Sequence, residues 1–426
     1  MKPIVQEFAV RYQYHVHFTT HVFAPDNLVL AEILRTAGQG RHKVLCIVDE
    51  GLAAQMPGLV HRILTYHGRH KDVMKAVCPP LLIPGGEMAK NSLQYVDRVQ
   101  AVLQDHGICR QSFVVAIGGG ALLDMVGFAA AITHRGVRLI RIPTTALSQD
   151  DSGVGVKNGV NRFDKKNFTG TFAPPYAVIN DFAFLETLEQ RDWISGLAEA
   201  VKVALLKDAA FFSFLEMNAK ALVARDGDAM RHAIYRCAEL HIRHIGTAGD
   251  PFESSSSRPL DFGHWAAHKL ELLTNFRLRH GEAVAIGIAL DSTYSFLRGI
   301  LSQADWLRIL SLLSHLGFTL YVSELESQPD ANGQESALFR GLEEFREHLG
   351  GELTLTLLQG VGNPVEVHSM DHNVLRAAIR ILREGHWATS HSVFSKEVLC
   401  ELDYQLRPES GADSRRIFSR ESTQIA

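Results

Sequence analysis

Residues 112–124 read SFVVAIGGGALLD: an apolar run of strand length stops at three glycines, and a small-residue stretch with helical character resumes behind them. Glycines between a strand and a helix let another group approach the backbone, and the free N–H groups of the helix start can face a diphosphate. The motif is not the G-x-G-x-x-G dinucleotide signature, because Leu123 stands where its last glycine belongs. A tight strand-to-helix turn without a ligand would look the same, so these residues alone leave nucleotide binding open.

Reading outward, similar apolar runs alternate with amphipathic stretches. KVLCIVD ends in Asp49, PLLIPGGE follows at residues 80–87, and SLQYVDRVQAVLQDHG spaces Leu93, Val96 and Leu103 helically before Gly107. VRLIRIPTT closes the series at residues 137–145. Strand, helix and strand in this order predict a parallel sheet covered by helices, with ligands at the carboxyl ends of the strands. Several candidate groups fall there: Asp49 for ribose hydroxyls, Glu87 and Lys90 in PGGEMAK, and Thr144 and Thr145 in IPTTALS. Nearer the N-terminus, apolar residues at the even positions from Phe8 to Phe18 predict one half-wet strand, on which His15 and His17 are solvated.

Beyond Phe182 the texture turns helical, in WISGLAEAVKVALLKDAAFFSFLEMNAKALVA and AMRHAIYRCAELHIRHIG, with a polar loop at ESSSSRP and a late strand in ELTLTLLQG. Past Asn363 no pattern is assignable. The expected architecture is an α/β N-terminal nucleotide-binding domain with a parallel sheet over residues 1–182, a mainly α-helical C-terminal metal-binding domain over 183–365, and an extension over 366–426 of unknown role. The length of 426 residues suits two domains, and 46% hydrophobic with 21% charged residues is ordinary globular composition. A net charge of -4 gives no electrostatic case for nucleic acid or an anionic membrane as partner. Five scattered cysteines without a C-x-x-C pair, no secretory leader and no membrane-length apolar run point to a cytoplasmic protein.

Chemistry-bearing residues gather in the second half. Glu199 and Lys202 share a face of a helix whose neighbours, from Leu197 to Ala204, are otherwise apolar, and a charged pair on an interior helix needs a reason. DFGHWAAHKLE sets His264 and His268 one helical turn apart, and His280 precedes the small, apolar GEAVAIGIAL. Three histidines and a glutamate exceed what one tetrahedral metal with an open position requires, so one imidazole is left to carry protons. Earlier in the chain DDSGVGVKNGVNRFDKKNFTG supplies Asp151, Lys157, Asn161, Lys166 and Asn167 in what reads as a glycine-broken loop. Ammonium groups and an amide in one loop suit a phosphate and several hydroxyls.

Taken in order, GGGALLD, IPTTALSQDDSGVGVKNGVN, FLETLEQRDWISGLAEAVK, FGHWAAH and HGEAVAIG resemble the sugar phosphate cyclases, most closely 3-dehydroquinate synthase, over residues 43–362. The resemblance implies a homodimeric lyase that uses NAD and zinc, or cobalt, to eliminate phosphate from a seven-carbon ketose phosphate and close a carbocycle. It implies Glu199, His264 and His280 as metal ligands, and His268 with Lys157, Lys202, Asp151 and Asn167 as catalytic groups. NAD contacts would come from Asp49, Glu87, Lys90, Gly119, Gly120, Asp124, Thr144, Thr145, Thr187 and Leu188. Lys166, Arg243 and Arg258 would bind substrate, and Arg135 would reach into the partner subunit. The chain departs from relatives acting on the carboxylate-bearing sugar acid: Arg243 stands for a lysine, Arg258 is displaced by one place, Trp265 stands for a threonine, and FREH at 345–348 replaces a lysine pair. These departures keep open a sedoheptulose 7-phosphate cyclase of a specialised pathway. A metal-dependent alcohol or glycerol dehydrogenase shares the glycine turn, but would not need the lysine-rich loop.

Overall fold

The computed structural model describes residues 3–163, 165–253, 257–326 and 337–385. They divide into two compact units, residues 1–200 with 225–252, and residues 201–224 with the described residues from 253 onward.

The first unit is built on a parallel sheet. Its strands are β1 (His15–Thr19), β2 (His42–Asp49), β3 (Met74–Ala76), β4 (Leu81–Ile83), β5 (Phe113–Gly118) and β6 (Arg138–Pro143); β7 (Lys157–Arg162) and β8 (Lys165–Phe172) form a separate antiparallel hairpin, and β9 (Ala177–Asp181) returns to the sheet. The order is β1-β9-β6-β5-β2-β3, with β4 also on β2, and every pairing in the sheet is parallel. The unbroken apolar runs follow from burial on both faces. Val44, Cys46, Phe113, Val115 and Ile117 enter one core with Leu30, Leu34 and Ile63. Their neighbours Leu45, Ile47, Val114 and Ala116 enter the other with Val99, Leu103 and Val126.

Two expectations are corrected here. Regular strand begins only at His15, because its partner β9 begins opposite it at Ala177 and offers residues 8–14 no ladder. Phe8 and Val10 are 81% and 62% exposed, so their alternation reflects no buried face. The segment expected as a glycine-broken loop is the π-turn Ser148–Ser152 followed by the β7–β8 hairpin. Val160 anchors that hairpin in the core against the helix Gly120–Ile132.

The helical texture after Phe182 is found as expected, in Leu197–Lys207, Ala209–Val223, Gly227–Thr247, His264–Leu273 and His280–Leu297. The division between units falls inside Leu197–Lys207, so Glu199 rides on one rod with Lys202, most of which belongs to the second unit. The late strand forms at Leu355–Gly360, paired with Asn363–Val367, and a strongly amphipathic helix follows at His372–Glu384. The remainder of the C-terminal extension lies outside the described residues. No helix among the described residues is long and apolar enough to cross a membrane.

Candidate active site

In the first unit the sheet register aligns the strand ends. Asp49 is opposite Ile83, Val48 opposite Ile117, and Gly118 opposite Pro143, so Asp49, the glycine turn and Thr144–Thr145 share one edge. Asp49 caps the short helix Glu50–Gln55: its Oδ1 accepts from the N–H groups of Gly51 at 2.8 Å and Leu52 at 3.2 Å. Burial raises its carboxyl above the usual range despite these two bonds. Its Oδ2 abuts Gly85, where a Cβ would lie 1.8 Å away, so the glycine in PGGE is required by the carboxylate itself.

The glycine turn is similarly crowded by its own chain. A Cβ on Gly118 would meet Leu122 at 2.5 Å and one on Gly120 would meet Ser152 at 2.4 Å, whereas at Gly119 only an ordinary 3.4 Å contact to Thr145 arises. Gly119 starts the helix Gly120–Ile132 without a side-chain cap. The first-turn N–H groups of that helix have no intrahelical acceptors and are available to an anion.

A polar chain ties residues expected at the cofactor to residues expected at the substrate. Lys90, 3% exposed, donates to Asp124 at 2.7 Å and to the Asn167 amide oxygen. Asn161 donates to Glu87 at 2.6 Å and to Asn91 at 2.8 Å, and accepts from the Asn167 N–H at 2.8 Å. Lys157 and Asn167 are exposed and Lys166 half-buried on the same hairpin. Asp151 faces His241 of the helix Gly227–Thr247, with Oδ1 2.8 Å from Nδ1.

Other expected residues sit in simpler surroundings. The Thr145 hydroxyl is in a turn with Ser148 at 2.8 Å, and Thr187 donates to its own helical carbonyl at Phe184 at 2.7 Å. The Leu188 carbonyl accepts from Arg225 at 2.7 Å. Arg135 is exposed, with φ of 61°. Arg243 lies 2.9 Å from Glu239, and Arg258 lies 3.9 Å from Glu253.

The metal-type residues converge. Glu199 is fully buried, Lys202 is 2% exposed one turn along, and single ligand atoms of Glu199, His264 and His280 all lie within 4.8 Å of one another. The ring centroids of His264 are 5.4 Å from those of both His268 and His280. His264 Nδ1 is 3.2 Å from the Phe262 carbonyl, and His280 Nδ1 is 3.0 Å from Glu271 Oε2. Both acceptors can only accept, which puts the protons on Nδ1 and makes each Nε2 the nitrogen able to ligate a metal. One carboxylate and two imidazoles fit a zinc- or cobalt-type ion with a position left for substrate. The pairing of Glu271 with His280 is the carboxylate–histidine arrangement that orients such ligands.

Sequence reasoning missed three residues here. Glu271 carried a usable signal, since it lies seven positions after His264 and three after His268, on their helix face. Arg141 did as well, being a charge inside an apolar strand. It is fully buried and donates to the carbonyls of Gly153, Gly155 and Lys157 and to Asn158, shaping the segment that carries Asp151 and Lys157. His241 left no local signal, because its partner is distant in sequence.

Two family models match consecutive stretches of the chain. Residues 80–195 match the family described as 3-dehydroquinate synthase N-terminal, and residues 196–332 the one described as 3-dehydroquinate synthase C-terminal. A 3-dehydroquinate synthase from Geobacter sp. (strain M21) is 43% identical over 242 residues, 57% of this chain and 66% of that protein, just under two thirds of its length. One from Ruegeria sp. (strain TM1040) is 34% identical over 355 residues, 82% of this chain and 92% of that protein. Among solved structures, ValA, a 2-epi-5-epi-valiolone synthase from Streptomyces hygroscopicus subsp. jinggangensis 5008 with NAD+ and Zn2+ bound, superposes with a TM-score of 0.79 at 28% identity, over 90% of this chain and 100% of that one.

Proposed function

The chain belongs to the 3-dehydroquinate synthase family, and on that premise we propose that it is a metal- and NAD-dependent sugar phosphate cyclase acting on a seven-carbon ketose phosphate. The observation that carries the reading is the convergence of buried Glu199 and His264 with half-buried His280, and with Glu271 behind His280. An ordinary core does not collect a carboxylate and two oriented imidazoles.

In this reading Glu199, His264 and His280 hold zinc or cobalt, and NAD lies along the strand ends at Asp49, Glu87, Lys90, Gly119, Gly120, Asp124, Thr144, Thr145, Thr187 and Leu188. Bound there, the metal would supply Lewis acidity toward a hydroxyl or carbonyl oxygen, and NAD would supply a reversible hydride acceptor. The protein's own groups then bind and move protons. Lys157 and Lys166 present ammonium groups to phosphate and hydroxyls, and Asn167 adds an amide fixed through Lys90 and Asn161. Asp151 and Lys202 orient the substrate, and His268 carries protons as phosphate leaves. The enzyme works as a cytoplasmic homodimer in which Arg135 reaches the partner's site, and Cys46, Cys78 and Cys109 are free thiols.

A second reading has its own observation. Arg243 and Arg258, the guanidinium groups nearest in type to those a sugar acid would need, both already face protein carboxylates. That favours a substrate without a carboxylate, such as sedoheptulose 7-phosphate, over 3-deoxy-arabino-heptulosonate 7-phosphate. Incubating the zinc- and NAD-loaded protein with each sugar, and identifying the ring product by NMR, decides between them. A carbocycle from either sustains the cyclase assignment, and none from both overturns it.

A further inference from the structure

Behind the metal cluster, two helices of the second unit meet without side chains between them. Gly263 has φ of 76°, and a Cβ there would lie 2.7 Å from the Ile288 nitrogen; a Cβ on Gly287 would lie 2.0 Å from the Gly263 carbonyl oxygen. The start of His264–Leu273 is thus pressed, backbone to backbone, on the middle of His280–Leu297. One turn beyond Gly287 on the same helix, Asp291 clamps the contact. Its Oδ2 accepts the Gly263 N–H at 3.0 Å and its Oδ1 accepts the Trp265 indole N–H at 2.9 Å. Asp291 and Trp265 are each 2% exposed, and both bonds flank His264 in sequence.

A buried carboxylate is costly unless fully hydrogen-bonded, and packing alone would be served as well by an apolar side chain. Here the two donors lie on either side of one metal-type histidine, while the acceptor belongs to the helix that begins with the other. We propose that Asp291, through Trp265 and Gly263, is a positioning residue that fixes the separation and tilt of the His264 imidazole relative to His280, and so tunes metal affinity and geometry. The proposal rests on the metal-binding reading above.

The test uses the full chain in zinc- and cobalt-loaded forms. Trp265→Phe keeps a ring in the core and removes only the indole donor; Asp291→Asn keeps the shape but can satisfy only one of the two donors. Zinc affinity is measured by competition with a chromophoric chelator, and site geometry by the visible ligand-field bands of cobalt. Both variants are expected to fold, to bind zinc roughly tenfold or more weakly, as outer-shell changes do, and to shift the cobalt bands. Should Asp291→Asn not fold, Trp265→Phe carries the test alone. Unchanged affinity and bands in a folded Trp265→Phe protein, with a parent that binds tightly, overturn the positioning role only. A parent that binds neither metal, or binds no better than His264→Ala, overturns the metal reading and the proposal with it.

Discussion

Glu271 is absent from the set of Glu199, His264 and His280, yet it decides which nitrogen of His280 can act as a ligand. Its carboxylate accepts from Nδ1 at 3.0 Å, which assigns the ligand role to Nε2. Glu271→Ala is therefore expected to weaken zinc binding about 10- to 100-fold, and Glu271→Gln less, since its amide oxygen still accepts; equal losses in chelator competition would contradict this. A second residue acts on stability alone. His67 is buried beside Cys46, with Nε2 3.6 Å from Sγ, and burial lowers its pKa from 6.5 to about 4. Between those values the unfolded chain binds a proton that the folded chain refuses, so this group's contribution is intact above pH 6.5 and is lost as pH falls toward 4. Melting temperature against pH should fall less steeply over that window in His67→Leu than in the parent, and parallel curves would refute the assignment. The convergence of Glu199, His264 and His280 was legible because helical spacing and apolar flanks mark them out. The roles of Glu271 and Arg141 follow from what each faces, and the His241–Asp151 pairing joins residues 90 positions apart.

Among elements, the sheet was readable where both faces are buried and misread where pairing decides. Residues 8–14 alternate as a strand should, but the ladder begins at His15 because β9 does. The hairpin β7–β8 hid behind its glycines and lysines, since polar composition marks exposure and carries no information about a partner strand. The same lesson applies to helix contacts: Gly287 reads as one small residue in an apolar helix, whereas its neighbour is a backbone oxygen. Gly287→Ala would place a Cβ 2.0 Å from that oxygen, and overpacking of this kind costs about 1–3 kcal/mol or more. A lowered melting temperature with weaker zinc binding is expected, and a variant as stable as the parent would mean that the two helices are not so tightly opposed.

For the molecule as a whole, one unit carries a helix start open to an anion beside the Asp49 carboxylate, and the other carries His264 and His280 with Glu271 behind the latter. Two units with these different fittings suit a reaction that needs a hydride carrier and a Lewis acid together. The fold was more legible than the substrate because the family motifs are local stretches of sequence, whereas the carboxylates that Arg243 and Arg258 face are revealed only by the folded chain. The most direct measurement is to follow inorganic phosphate and NADH together while the zinc- and NAD-loaded protein acts on the two seven-carbon ketose phosphates, with Glu199→Ala alongside. The account predicts stoichiometric phosphate release from at least one sugar, no accumulation of NADH, and loss of activity in the variant; NADH accumulating without phosphate, or a variant as active as the parent, would contradict it.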